Sequence, residues 1–444
     1  MASSTAAASS QISKRGKKAP IVETRLAEWI QNTPDGATAD RILRACVHCG
    51  FCLATCPTYQ VLGDELDSPR GRIYQIKQVL EGAEPTRKTQ LHLDRCLTCS
   101  SCETTCPSGV EYRHLLDIGR AVVHERVERP WRERAARWIL REGLTRRWLF
   151  ATALGLARAM SWALPTGLRA KVGVARAVGR VPAADHDRAV LLLNGCVQPA
   201  MQPSIDAATA RVLDAIGVKT VVAAKSGCCG GIRLHADDEP GALDNARSNI
   251  DAWWPYIETN AIEAILVNAS GCGVIVRDYG HLLRSDPAYA DKARRVSELA
   301  HDPVEFLASS VPTLEALAAN GATAHPRTQS FPRRVAFQAP CTLQHGLQIR
   351  GEVEKILTAL GAEVLPVAEP HLCCGSSGTY SLLQRELSTT LRDRKLENLV
   401  RRSPQVILSA NIGCIGHLQT GTAIPVLHWL EWVDQTLAAR VTPL

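Results

Sequence analysis

From residue 188 onward, apolar positions follow two alternating periods. "AVLLLNGC" is a continuous apolar run of the kind a buried strand shows, and it ends at Cys196. Ile205, Ala208, Val212, Ala215 and Ile216 then recur at helical spacing, and Gly217 is placed to close that helix. The β-branched "VKTVVAA" follows, then Cys228, Cys229 and Gly230. The same order returns later in the chain. A run ends near Cys341, and a helical face carries Val353, Ile356, Leu357 and Leu360 before Gly361. "AEVLPV" precedes Cys373, Cys374 and Gly375. In both halves the first cysteine lies 32 residues before the pair, and a further apolar run ends in Gly-Cys, at Cys272 and at Cys414.

A period of about 145 residues is a duplicated domain rather than a solenoid. Strand–helix–strand alternation predicts α/β units with parallel strands, and the cysteines fall where strands end. Such ends are where open α/β sheets build sites, so sulfurs distant in sequence are expected to converge.

Ahead of the repeat the pattern is different. Residues 121–180 hold 13 Arg/Lys and 4 Glu, with Trp131, Trp138, Trp148 and Trp162 and other apolar residues at helical spacing among the arginines. Three readings compete: interdomain helices, docking onto partner subunits, or lying on an anionic membrane surface. Nucleic-acid binding is not expected, because no recognition motif accompanies the charge. The longest apolar stretch, "WLFATALGLA" at 148–157, is about half the roughly 20 residues a spanning helix needs. The Ala/Ser-rich, basic residues 1–20 have no apolar signal core and read as a disordered tail, a composition a transit peptide shares. A cytoplasmic protein follows, or one peripheral on the cytoplasmic face of the inner membrane. The expected segments are 21–125, a basic helical linker at 126–187, and repeats at 188–320 and 330–444.

Composition adds one fact that changes the picture. The 444 residues are 45% hydrophobic and 21% charged, ordinary for a soluble chain, yet include 16 cysteines. Without a secretory signal, thiols this dense point to metal rather than to a disulfide framework.

Eight of them form two copies of C-x2-C-x2-C-x3-C-P: "CVHCGFCLATCP" at 46–57 and "CLTCSSCETTCP" at 96–107. In such runs three close cysteines serve one [4Fe–4S] cluster and the fourth crosses to the other. Cys46, Cys49, Cys52 and Cys106 are therefore assigned to one cluster, and Cys96, Cys99, Cys102 and Cys56 to the second. Pro57 and Pro107 are expected to turn the chain after each crossing ligand and not to continue a helix. Structural zinc prefers two separated C-x2-4-C pairs, and a thioredoxin-type motif has one. Neither explains a doubled tight run. His48 is a candidate tuner of cluster potential against a plain loop histidine, and "SPRGR" at 68–72 is read as structural.

The repeat resembles the cysteine-rich CCG domain of heterodisulfide reductase subunits and their relatives. That family's full motif ends in C-x-x-C and can hold an unusual iron–sulfur cluster. Ile275 and His417 stand where the last cysteine would fall, so each half keeps four of five. The resemblance implies an additional cluster or redox site at Cys341, Cys373, Cys374 and Cys414, with Cys196, Cys228, Cys229 and Cys272 as the corresponding set. His417 is a candidate ligand.

Beyond about residue 20 the chain resembles the iron–sulfur subunits of bacterial glycolate oxidase (glycolate dehydrogenase). The matching stretches include "CVHCGFCLATCPTY", "DSPRGRIY", "LDRCLTCSSCETTCPSGVEYRHLLDIGR", "ASGCGV" and "SANIGCIGHLQTGT". The implied fold is mixed: a small α-helical 2[4Fe–4S] ferredoxin-like domain, then duplicated α/β CCG domains. The implied role is electron transfer, with no catalytic residue on this chain. Glycolate, and D-lactate in the same family, would be oxidised on FAD-containing partner subunits, and electrons would pass to quinone or another acceptor. The lack of G-x-G-x-x-G and of a P-loop agrees with a flavin held elsewhere. The alternatives are an iron–sulfur subunit of anaerobic glycerol-3-phosphate dehydrogenase or of lactate utilisation, and a thiol/disulfide redox protein of the heterodisulfide reductase kind. A zinc-stapled scaffold is a third class.

Overall fold

The computed structural model describes residues 22–164, 169, 172–173, 175–324 and 331–438. The tail read at 1–20 lies outside the described residues.

Residues 28–126 form a helical unit. Its larger helices are Pro34–Ala45, Pro69–Leu80, Arg87–Asp94 and Tyr112–Arg126. Thr33 and Ser68 cap the first two through hydroxyls that accept from Gly36 N and Gly71 N, both at 2.9 Å, each with proline at the first helical position. Ile42, Leu43, Ile76, Leu80, Leu93, Leu115 and Leu116 interlock at the centre. Pro57 departs from expectation. It opens the short helix Pro57–Leu62, because proline at the first helical position removes only an N–H that has no helical partner anyway. Pro107 does lie in a turn.

Each repeat folds as a four-stranded parallel sheet. The first comprises β1 (Arg188–Leu192), β2 (Val218–Val221), β3 (Ile265–Leu266) and β4 (Ala300–His301), in the order β2-β1-β3-β4. The second comprises β5 (Arg334–Gln338), β6 (Glu363–Leu365), β7 (Val406–Ser409) and β8 (Val426–His428), in the order β6-β5-β7-β8. All pairs are parallel, and the register begins Arg188↔Val218 in one sheet and Arg334↔Glu363 in the other. The predicted helices run Ser204–Ala215 and Glu352–Ala359, ending before Gly217 and Gly361. The sheets share one hydrophobic core, in which Val212 and Leu213 of the first repeat join Trp429, Trp432 and Val433 of the second. Arg211 closes the seam on Asp434 at 2.7 Å.

Helices Trp131–Thr145 and Arg147–Ala159 join the helical unit to the first repeat. Much of the local positive charge is used there. Arg129, only 6% exposed, donates to both Asp94 oxygens at 2.5 and 3.0 Å and meets Asp237 at 3.0 Å. Arg137 bridges the same two acids at 3.0 and 3.2 Å. Burial opposes the Asp94 charge, but the arginines hold its carboxyl below the usual range. Among the described residues no helix is long and apolar enough to cross a membrane.

Removing one partner of such a network leaves buried acids uncompensated. Arg129→Met should cost roughly 3 kcal/mol, read as a lowered thermal midpoint at pH 7. Asp94 has a depressed folded pKa, so its share is present above its unfolded pKa of about 4 and lost as pH falls through the lower folded value. The wild-type–variant gap should therefore narrow in acid.

Candidate metal centres and the cavity beside them

The tight cysteine runs make short loops that reverse repeatedly. His48, Thr98 and Ser100 have φ of 53°, 51° and 55°, a strained conformation that turns successive sulfurs inward. The helices before the two loops stop next to Cys46 and Cys96. The structure brings Cys46, Cys49, Cys52 and Cys106 to one small cavity and Cys56, Cys96, Cys99 and Cys102 to another, with Cys102 bordering both. The crossing of Cys56 and Cys106 between loops is thus present in the geometry. Burial first, then neighbouring sulfur, pushes the Cys99 and Cys102 thiols well above their ordinary range. Thiols packed this way suit a cationic iron core that replaces the proton, so the residues fit the clusters that the motif implies.

"SPRGR" caps a helix, as read, but it also does more. Arg70 lines the first cavity and reaches the His48 carbonyl at 3.5 Å while pairing with Glu65 at 2.8 Å. Arg72, 1% exposed, lines the second. It donates to His92 O at 2.7 Å, Thr58 Oγ1 at 3.1 Å and Asp67 Oδ1 at 3.1 Å. Thr58 Oγ1 in turn lies 3.3 Å from Cys56 Sγ. Burial works against the Arg72 charge, yet Cys96, Cys56 and Asp67 around it raise its pKa, so the guanidinium stays charged. Burial and then Arg70 shift the His48 imidazole pKa down.

In each repeat the strand order reverses between the first and third strands, and the chain leaving those strands carries the cysteines. β1 leads to Cys196 and β3 to Cys272; β5 leads to Cys341 and β7 to Cys414. The Cys-Cys pairs follow β2 and β6. In the second repeat Cys341 and Cys373 sulfurs are 3.7 Å apart, and Cys374 and Cys414 sulfurs 3.1 Å. In the first, Cys228 contacts both Cys196 and Cys229, and Cys229 contacts Cys272. The glycine after each pair is required by shape. Gly230 and Gly375 have φ of 93° and 85°, and a Cβ would sit 2.9 Å from Ala242 O and 2.5 Å from Ser388 O.

The two repeats differ beyond that point. Seven residues past those carbonyls stand Asn249 and Lys395. Asn249 is neutral and donates to Cys228 O at 2.9 Å. Lys395, 1% exposed, donates to Pro370 O at 3.0 Å and Glu369 O at 3.3 Å. Burial lowers its pKa, and Cys374, Cys373, Cys414 and Cys341 are near enough to push it back up. The second set thus has a buried ammonium near its sulfurs, whereas the first has the half-buried Arg233 guanidinium near Cys228. His417 Nε2 lies 3.0 Å from Ser388 Oγ and 3.2 Å from Ser388 O, so that ring nitrogen faces the helix rather than the sulfurs.

The second ferredoxin-type site adjoins the second repeat. Leu97, Cys99, Cys341, Cys373 and Tyr380 share one apolar cluster. Ser377 Oγ donates to Leu97 O at 2.8 Å, Tyr380 Oη to Arg95 O at 3.1 Å, and Thr104 Oγ1 meets His345 Nδ1 at 2.8 Å. A cavity of about 440 Å³ lies between the repeats, and seven of their eight cysteines line it, Cys228 being the exception.

Comparison with known proteins decides the family. Residues 42–110 match the 4Fe-4S dicluster domain, and residues 190–277 and 335–419 match the cysteine-rich domain. The chain is 50% identical to the glycolate oxidase iron-sulfur subunit of Escherichia coli over 94% of its own length and 99% of that protein's. It belongs to the glycolate oxidase iron–sulfur subunit family. A probable member from Bacillus subtilis is 29% identical over 85% of the chain and 88% of its own length. Lactate utilization protein A of the same organism is more distant, 25% identical over 51% of the chain. The resemblance and the fold class read from the sequence both hold. The chain carries a dicluster domain followed by two cysteine-rich regions, and the electron-transfer role follows from the first of these.

The buried guanidinium gives a direct test. Arg72→Met removes a positive charge beside the second sulfur set, which favours the oxidised, less negative state. The midpoint potential of one reduced-state EPR signal should fall by on the order of 100 mV, with iron content unchanged.

Proposed function

We propose that this chain is the electron-transfer subunit of a flavin-dependent glycolate dehydrogenase complex. Glycolate, and D-lactate with it, is oxidised on an FAD-containing partner subunit. The observation that carries the reading is the gathering of the two crossed cysteine sets, one directly against the sulfurs of the second repeat. Each [4Fe–4S] cluster, when bound, accepts and donates single electrons. Cys46, Cys49, Cys52 and Cys106 hold one, and Cys96, Cys99, Cys102 and Cys56 the other. The chain's own residues fix their surroundings: Arg70 and Arg72 supply charge, and the Leu97–Tyr380 contact fixes the approach to the second repeat.

Cys341, Cys373, Cys374 and Cys414 form a further metal site, supported by the close sulfur pairs and the Lys395 ammonium that offsets their negative charge. Cys196, Cys228, Cys229 and Cys272 have the half-buried Arg233 near Cys228 in place of a buried lysine and act as scaffold. The terminal acceptor is a quinone, and the complex works at the cytoplasmic face of the inner membrane. Exposed Trp131, Trp138, Trp148 and Trp162, with Arg132, Arg134 and Arg147 also exposed, suit an anionic lipid surface.

Anaerobically purified protein should hold about twelve irons per chain, each cubane contributing four. Cys374→Ser should lower the figure to about eight, whereas Cys229→Ser should leave it unchanged. With a co-expressed flavoprotein partner, glycolate-dependent dye reduction should be abolished by Cys49→Ala while the subunits still co-purify. Unchanged dye reduction in Cys49→Ala would overturn the relay.

A further inference from the structure

We propose that the cavity between the two repeats binds the ring of a lipid-soluble quinone, with its entrance beneath the tryptophan-bearing helices. The inference rests on the reading above that a quinone is the acceptor, and it assigns that acceptor a place.

Size and lining argue first. About 440 Å³, part of which a metal site on Cys341, Cys373, Cys374 and Cys414 would fill, lies within the range of small-molecule sites, and the walls are mostly apolar, including Ile232, Val267 and Ile412. A few polar groups interrupt them. Gln198 is 4% exposed, and its Nε2 is committed to Asp206 at 2.6 Å and Asn268 at 2.8 Å. Its Oε1 is buried and has no partner, and Asn194 Oδ1 and His235 Nδ1 are in the same condition. All three residues line the cavity. A buried polar atom without a partner costs about 1–3 kcal/mol, so three around one cavity point to a ligand that completes them. Amide oxygens accept from the O–H of a quinol, and a neutral imidazole N–H donates to the carbonyl of a quinone.

Position argues second. Leu97 and Thr98, from the loop of the second ferredoxin-type sulfur set, form part of the wall, as do Cys341 and Cys374. A ring held there sits against the repeat cysteines and against the loop that carries Cys96 and Cys99.

Access argues third. Leu144, Phe150 and Leu154 line the cavity from the two linker helices. Those helices and the turn after them present Trp138, Trp148 and Trp162 to the outside at 57%, 68% and 77% exposure. The same segment thus offers aromatic side chains to a lipid interface and apolar side chains to the cavity. A water-soluble acceptor would need neither.

The chemistry balances. A 2-hydroxy acid loses two electrons and two protons on the partner flavoprotein and becomes a 2-oxo acid. The quinone takes two electrons, one at a time, and two protons from solvent, and becomes the quinol.

The test uses cluster-loaded subunit purified without oxygen and a fluorescent quinone analogue, 2-heptyl-4-hydroxyquinoline N-oxide. Its fluorescence should be quenched saturably at one site per chain. Leu154→Trp, which fills the cavity from the linker side, should weaken binding at least tenfold with iron content and EPR signals unchanged. Ile232→Trp fills it from the first repeat and replaces Leu154→Trp should that variant not fold. Gln198→Met should weaken binding about fivefold. Absence of saturable quenching overturns the inference, as does quenching that neither filling variant weakens. Failure of the underlying reading is separable. Wild-type complex that reduces a dye with glycolate but binds no N-oxide keeps its electron-transfer role and loses this site. Saturable binding by a complex inert toward every 2-hydroxy acid keeps the site and loses the electron source.

Discussion

Sulfurs far apart in sequence meet here because parallel strands deliver their carboxyl ends to one edge of a sheet. Cys196 and Cys272 are 76 residues apart, and Cys341 and Cys414 are 73. Neither pair sits on a common helix or hairpin. Each pair is assembled by the reversal of strand order between the first and third strands, which opens a crevice that the loops line. Everything around the cysteines in the second half of the chain follows from that constraint. The shared core fixes one sheet against the other, so the two crevices face a common space. The helical unit then fits its second sulfur loop against one wall.

Much of this was legible in the sequence because it depends on local spacing. The tight cysteine runs state their own crossing, and the matched order of apolar runs, helices and Cys-Cys-Gly made the duplication visible. What escaped were groups that act through space. Arg72 reads as one more arginine at a helix start, and only burial beside Cys56 and Cys96 makes it a charge that the second sulfur set feels. Lys395 sits in a polar-looking helix stretch, "LRDRKLENLV", that gives no sign of which lysine is inside. Pro57 shows the converse: proline reads as a helix breaker, and its tolerance at a helix start depends on a one-residue boundary that apolar periodicity does not resolve. The cavity has no signature at all, because its lining comes from both repeats, the linker and the helical unit.

The basic segment illustrates how composition misleads when read alone. Its excess of positive charge is compatible with interdomain helices, partner docking or a lipid surface alike, and the structure shows Arg129 and Arg137 spent inside, on Asp94 and Asp237 from two different units. They fix the helical unit to the first repeat while leaving the tryptophans of the same segment outside. One stretch of chain therefore serves as both internal strut and external face, with arginines divided between the two.

The glycine that follows each Cys-Cys pair separates two kinds of inheritance. Its position is dictated by backbone touching backbone, at Ala242 O in one repeat and Ser388 O in the other, whatever the neighbouring sulfurs hold. A lineage that abandons the redox chemistry is free to replace the cysteines but not that glycine. Where relatives diverge, the glycine should mark descent of the fold and the cysteines survival of the chemistry, so the two can be traced as independent characters.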